Sequence, residues 1–196
     1  MDVDIDLKSS TPISKIFAGW PLAMQLLSDK DGNTRAMKHP CGIYPQNIPV
    51  DPLSGLAAIP HRDAAALGYF KIDMLHNSVY SHFKSKEEID ALLELEPEWD
   101  LLKMKSVVTQ LFQISKHFEL IRKLQPKSIN DLADAIALIR PGKSHMVEKY
   151  LTNKQEVRNL LYDLTDETYS FKRGHAIAYA MVIVLQLHLI SAGVDL

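Results

Sequence analysis

Cysteine is almost missing from this 196-residue chain, with Cys41 standing alone. A single thiol forms no internal bridge, which excludes a disulfide framework and suits a reducing compartment, so a cytoplasmic protein is expected. Excess charge is missing as well: 22 Lys and Arg face 24 Asp and Glu, for a formal net charge of −2. That balance excludes the general basic footprint of many nucleic-acid binders and leaves any DNA contact to local clusters. The start, Met1-Asp2-Val3-Asp4-Ile5-Asp6, lacks the basic and then apolar stretch of a secretory signal, so export is not expected. Only one long apolar run occurs, over residues 176–194, and Gln186, His188 and Ser191 interrupt it. A buried core helix is expected there rather than a membrane span. Internal repeats and low-complexity tracts are absent. A chain of this length forms one ordinary domain, or two small ones sharing a core, without a metal or disulfide staple.

What is present divides unevenly. Asp2 to Leu7 alternates acid and apolar residues at a period of two, so a strand would carry Asp2, Asp4 and Asp6 on one face and turn Val3, Ile5 and Leu7 to the core. Residues 14–27 carry a short helical pattern that Pro21 breaks, and Asp31-Gly32-Asn33 is a turn signal. Cys41 to Tyr44 and Tyr69 to Asp73 read as short strands on either side of a Pro-rich loop from Pro45 to Pro60.

Beyond Asp73 helical signals dominate. Ser85 and Glu88 are spaced as a capping box, Ser128 and Asp131 open an apolar run ending at Pro141-Gly142, and Asn153 with Glu156 opens another helix. Val107, Leu111, Phe112, Ile136, Leu138, Ile139, Tyr179, Val182 and Leu185 are the expected core.

Carboxylates on two strands carry the strongest chemical signal. If the strand of Asp2 and Asp4 neighbours that of Asp73, their oxygens converge on a pair of divalent ions, the arrangement that serves two-metal phosphoryl transfer. Magnesium suits such oxygen ligands and accepts substrate phosphates into its shell, with manganese as a possible substitute. By pattern alone, an acidic start also reads as a solvated tail. Lys71 shares the face of Asp73 and reads either as a phosphate-facing cation or as a solvated strand lysine. Arg140 either reaches for phosphate from its Pro-Gly terminus or meets the negative end of its own helix. Lys172, Arg173 and His175 cluster at the start of the long apolar helix, as an anion site or as a solvated helix end.

These segments resemble the catalytic core of the bacterial-type family C DNA polymerases, the replicative polymerase III alpha subunits. Asp2 to Leu7 is similar to the family's Pro-Asp-x-Asp-x-Asp-Phe signature, Gly68 to Leu75 to its Gly-Leu-Val-Lys-x-Asp-Phe-Leu strand, and Lys38 to Ile43 to its Lys/Met-His-Ala-Gly-Gly-Val stretch. Leu111 to Ser115 resembles Val-Phe-Gln-Leu-Glu-Ser, and Ala137 to Gly142 resembles Ala-Leu-x-Arg-Pro-Gly. Phe171 to Ala180 resembles Phe-Asn-Lys-Ser-His-x-x-Ala-Tyr-Ala, with lysine at 172 and glycine at 174 where the family has Asn and Ser.

The resemblance implies an α+β fold, with a small nucleotidyltransferase-type mixed-sheet palm over residues 1–83 and an all-helical fingers remnant over 84–196. It implies catalytic, metal-binding roles for Asp2, Asp4 and Asp73, whereas Asp6 matches a signature acid that is not a core ligand. Nucleotide binding falls to Lys71, Arg140, Lys172, Arg173 and His175. The expected partners are primer-template DNA, deoxynucleoside triphosphates and replication proteins supplying thumb or clamp functions, with no membrane. Only 68 residues separate Asp4 from Asp73, and 28 separate Gly142 from Phe171, far fewer than in the family. A strongly reduced polymerase is therefore expected, of viral or mobile-element origin and acting in a host cytoplasm. The alternatives are a non-catalytic DNA- or replisome-binding module from the same core, and a soluble α+β protein whose acids and basic cluster are surface features.

Overall fold

The computed structural model describes residues 2–163 and 172–196, with only the backbone of Asp2. Phe171 of the last motif lies outside the described residues. The chain divides into two compact units, Met1–Ser81 and His82–Leu196. The first contains a mixed sheet and the second is built of helices, so the fold is α+β.

In the first unit the strands are β1 (Asp2–Asp6), β2 (Leu22–Ser28), β3 (Thr34–Ile43), β4 (Leu56–Pro60) and β5 (Lys71–Leu75). They lie in the order β1-β5-β3-β2-β4. The short helices α1 (Ile13–Ile16) and α2 (His61–Ala66) complete this unit. The β2–β3 hairpin turns through Asp29, whose Oδ1 accepts from Asn33 N–H at 2.9 Å and Asp31 N–H at 3.0 Å. Gly32 supplies the positive φ of +83° that this turn requires.

This part of the chain corrects the sequence reading at five points. The helical pattern of residues 14–27 yields only α1, and from Leu22 onward the chain is strand β2. The helix ends at Ile16, ahead of Pro21, whose carbonyl accepts from Tyr44 N–H at 2.9 Å, and Leu22 to Ser28 pairs with β3 instead of closing on itself. The strand expected from Cys41 is the end of one that starts at Thr34, while the strand expected from Tyr69 begins at Lys71. The Pro-rich loop ends in β4, paired parallel to β2. Val3 and Ile5 occupy the sheet face opposite the acids but are 40% and 39% exposed, because β1 is an edge strand.

In the second unit the helices are α3 (Lys86–Glu94), α4 (Lys105–Val108), α5 (Phe118–Leu124), α6 (Ile129–Leu138), α7 (Val147–Thr152), α8 (Lys154–Leu161) and α9 (Arg173–Ser191). Three begin as their sequences predict: Ser85, Ser128 and Asn153 each accept, through a side-chain oxygen, the N–H of the residue three positions on. Its main core joins α6 to α9, with Leu132, Ile136, Ala176, Ala180, Ile183 and Leu187 at 0% exposure. Burying each of the larger aliphatic side chains contributes about 1.5–3 kcal/mol. Of the expected core, Phe112, Ile139 and Tyr179 are partly buried and the rest buried. By length and composition α9 is able to cross a membrane, and it packs more than half of its apolar residues into this core.

Beside that core lies a polar cluster. Asp134, 1% exposed, accepts from Tyr150 Oη at 2.7 Å, Arg158 Nε at 2.7 Å and Tyr162 Oη at 3.1 Å. One carboxylate thereby ties α6 to α7, to α8 and to the residue that follows α8. Burial, and then the charge of Asp134, raises both tyrosine hydroxyls far above their usual range, so they remain donors.

Candidate metal and nucleotide sites

Parallel pairing of β1 with β5 sets Asp2 opposite Lys71, Asp4 opposite Asp73 and Asp6 opposite Leu75. Asp4 and Asp73, 69 positions apart in the chain, therefore stand side by side on one sheet face. Asp4 and Asp73 offer carboxylate oxygens within 4.8 Å of each other. Asp4 is half-buried and Asp73 is 3% exposed. Asp6 is engaged elsewhere: Tyr80 Oη donates to both of its oxygens at 3.2 Å, and Lys8 N–H donates to Oδ1 at 3.0 Å.

Lys71 lies 4% exposed on the same face, with Nζ donating to Asp73 Oδ1 at 2.6 Å and Oδ2 at 2.8 Å. Room for the lysine stem comes from β3, where Gly42 pairs with Asp73. A Cβ at Gly42 would sit 2.9 Å from Ala23 Cβ, Lys71 Cδ and His39 Nδ1. Contacts that close occur essentially never between real side chains, and Ala23 Cβ has no rotamer by which to retreat. The substitution Gly42→Ala is therefore expected to destabilise by about 1–3 kcal/mol, read as a lower urea midpoint at unchanged slope.

The same glycine belongs to a pronounced irregularity. Residues 39–42 stand opposite Ala23 alone, between the Leu22–Ile43 and Met24–Lys38 pairs. Pro40, with no N–H to give, sits within this bulge. His39 Nδ1 accepts from Gly42 N–H at 2.9 Å, which fixes the ring in its Nε2-protonated neutral form. The 3.8 Å approach of Nδ1 to Asp73 Oδ1 is then proximity and not an ion pair.

Cys41 is held as a thiol. Burial pushes it up to about 12, the Asp73 carboxylate adds to this, and Lys71 opposes. Because the folded value lies above the ordinary 9.0, the thiol stays protonated from neutral pH to well above it. Native protein at pH near 8 is expected to leave Cys41 unreacted with a disulfide reagent, with one thiol appearing on unfolding in guanidinium.

In the second unit, Arg140 follows the C-terminus of α6 and donates through Nη2 to Gln113 Oε1 at 2.5 Å. Gln113 adopts a positive φ of 63°, sparsely populated for a side chain of this kind. The turn is fastened from α9: Gln186, 5% exposed, accepts Phe112 N–H at 2.8 Å and donates to Gln110 carbonyl at 3.4 Å. Lys172 caps α9 and Arg173 opens it, with His175 one position short of the first buried residue, Ala176. His175 stacks edgewise on Tyr179 at 5.9 Å, and Tyr179 on Phe112 at 4.9 Å.

Sequence reasoning gave no role to Gly42, His39, Gln113, Gln186 or Tyr80. Gln186 did carry a signal, as a lone amide inside the longest apolar run.

The family model described as the bacterial DNA polymerase III alpha subunit finger domain matches residues 56–194. The match takes in Lys71, Asp73, Arg140, Lys172, Arg173 and His175, and leaves Asp2 and Asp4 outside. The DNA polymerase III subunit alpha of Pseudomonas aeruginosa is 32% identical over 113 residues, covering 53% of this chain and 10% of that relative. The chain thus aligns with about a tenth of the length of the curated relative it matches.

Proposed function

Since the chain belongs to the family of the bacterial DNA polymerase III alpha subunit finger domain, we propose that it is a reduced, template-directed DNA polymerase. The observation that carries this reading is the register of Asp4 with Asp73 on neighbouring parallel strands. Two carboxylates in register on one sheet face give an all-oxygen donor set, the kind that hard divalent ions take. Two magnesium ions, or manganese in their place, held by Asp2, Asp4 and Asp73, would supply the Lewis acidity that activates a primer 3′ hydroxyl and steadies the departing pyrophosphate.

The protein's own residues bind and orient. Lys71 supplies positive charge beside the acids. Arg140 presents a planar guanidinium, steadied by Gln113, to triphosphate oxygens. Lys172, Arg173 and His175 add donors to the N–H groups that open α9, a setting that favours bound phosphate. Catalysis on this reading is positioning and electrostatics. Primer-template DNA and deoxynucleoside triphosphates are the substrates, and other replication proteins supply thumb or clamp functions.

The test is extension of a labelled primer-template with all four deoxynucleotides, in magnesium and in manganese, by the wild type and by Asp73→Asn. Extension by the wild type alone supports the reading. Binding of the primer-template without extension in either metal overturns the catalytic assignment.

A further inference from the structure

Lys71 occupies both oxygens of Asp73, the same atoms a divalent ion would take. We propose that Lys71 is a resident counter-ion, which holds the acid pair together while the protein is free of metal and which an arriving ion displaces. The inference rests on the metal-binding reading of Asp4 and Asp73 given above.

Three observations support it. Both partners are almost fully buried, at 4% and 3% exposure, so Asp73 has little water to neutralise it. The carboxylate of Asp4 lies within 4.8 Å, and two such anions repel strongly in a poorly hydrated place. The glycine at 42 opens a slot on β3 that the lysine stem fills, so the inward pose has its own packing and is not a surface side chain folded back by chance.

A single ammonium thus stabilises the metal-free sheet at the strand pair that carries the acids. It also competes with the metal, because an ammonium 2.6 and 2.8 Å from the two oxygens of Asp73 sets a like charge where an ion would sit. Displacement frees a cation beside the acids at the moment phosphate oxygens arrive with the metal. Lys71 is then a positioning residue with two successive partners, Asp73 first and phosphate second.

The experiment uses the full chain without DNA or nucleotide. Manganese binding is measured by electron paramagnetic resonance, and melting temperature is measured in chelator and in magnesium, for the wild type, Lys71→Met and Lys71→Gln. Removing a competing positive charge at hydrogen-bond distance is expected to tighten manganese binding by on the order of tenfold, the scale on which a neighbouring charge shifts the affinity of a carboxylate for a cation. Both variants are expected to melt lower than the wild type in chelator and to gain more on adding magnesium. Folding of Lys71→Met only in the presence of the metal supports the proposal in its strongest form. The double variant Lys71→Met/Asp73→Asn, which removes both charges, is expected to regain stability in chelator without responding to metal.

Manganese affinity that is unchanged or weaker in Lys71→Met and Lys71→Gln, while the wild type binds, overturns the counter-ion role and leaves the metal site standing. No manganese binding by any of the proteins overturns the metal-site reading and this inference together.

Discussion

The Asp73→Asn protein is expected to fold and to lose primer extension by at least about a thousandfold. The substitution keeps an oxygen that accepts from Lys71 Nζ and keeps the shape of the side chain, so the packing around Gly42 is untouched. The carboxylate of Asp4, within 4.8 Å of Asp73, remains to balance the buried ammonium. What disappears is the second anionic donor of the strand pair. The charge stabilisation such a site provides is worth several kcal/mol, which corresponds to a rate loss of that order. Comparing primer extension with near-ultraviolet circular dichroism separates the two effects. A variant that retains both wild-type extension and wild-type spectra would remove Asp73 from the chemistry.

The second large effect concerns stability alone. Asp134→Ala takes away one carboxylate that receives Tyr150, Arg158 and Tyr162. Two tyrosine hydroxyls lose their acceptor, and Arg158 loses one of its two carboxylate partners among the described residues, retaining Asp131 at 2.9 Å. Removing one member of a buried charged pair costs about 3–5 kcal/mol, chiefly because the groups left behind were desolvated for a partner that is gone. For a chain of this size that corresponds to a melting temperature lower by about 10 °C. Asp134→Asn, which still accepts hydrogen bonds, is expected to lose clearly less. Equal losses in the two variants would mean that volume and not hydrogen bonding explains the cost.

Local chemistry was legible and distant pairing was not. Ser85, Ser128 and Asn153 start helices because each cap satisfies an N–H three residues away, a relation wholly contained in the sequence. The alternation of Asp2, Asp4 and Asp6 was legible for the same reason, since a strand's facing follows from its period. Residues 22–28 were misread because a short apolar run fits a helix or a strand equally well, and only the partner strand β3 decides. Parallel register put Asp4 against Asp73, a fact that neither strand carries by itself. From its period Lys71 reads as facing phosphate or solvent, and its seat on Asp73 depends on a glycine from a third strand. Asp134 gave no local warning, because its partners lie 16 to 28 residues further along.

The position of β1 has a consequence for how the molecule is made. The β2–β3 hairpin closes through a turn of a few residues and forms early, whereas β1 has to wait for β5 to exist and then shut a loop of more than sixty residues. β1 is also an outermost strand, joined to the sheet through β5 alone. The residues of β1, made before those of β5, are thus among the last of this sheet to find their place, and Asp4 meets Asp73 only when β5 has formed. A partly folded chain holds the separate acids without the pair, so any chemistry that needs both is withheld until folding is finished.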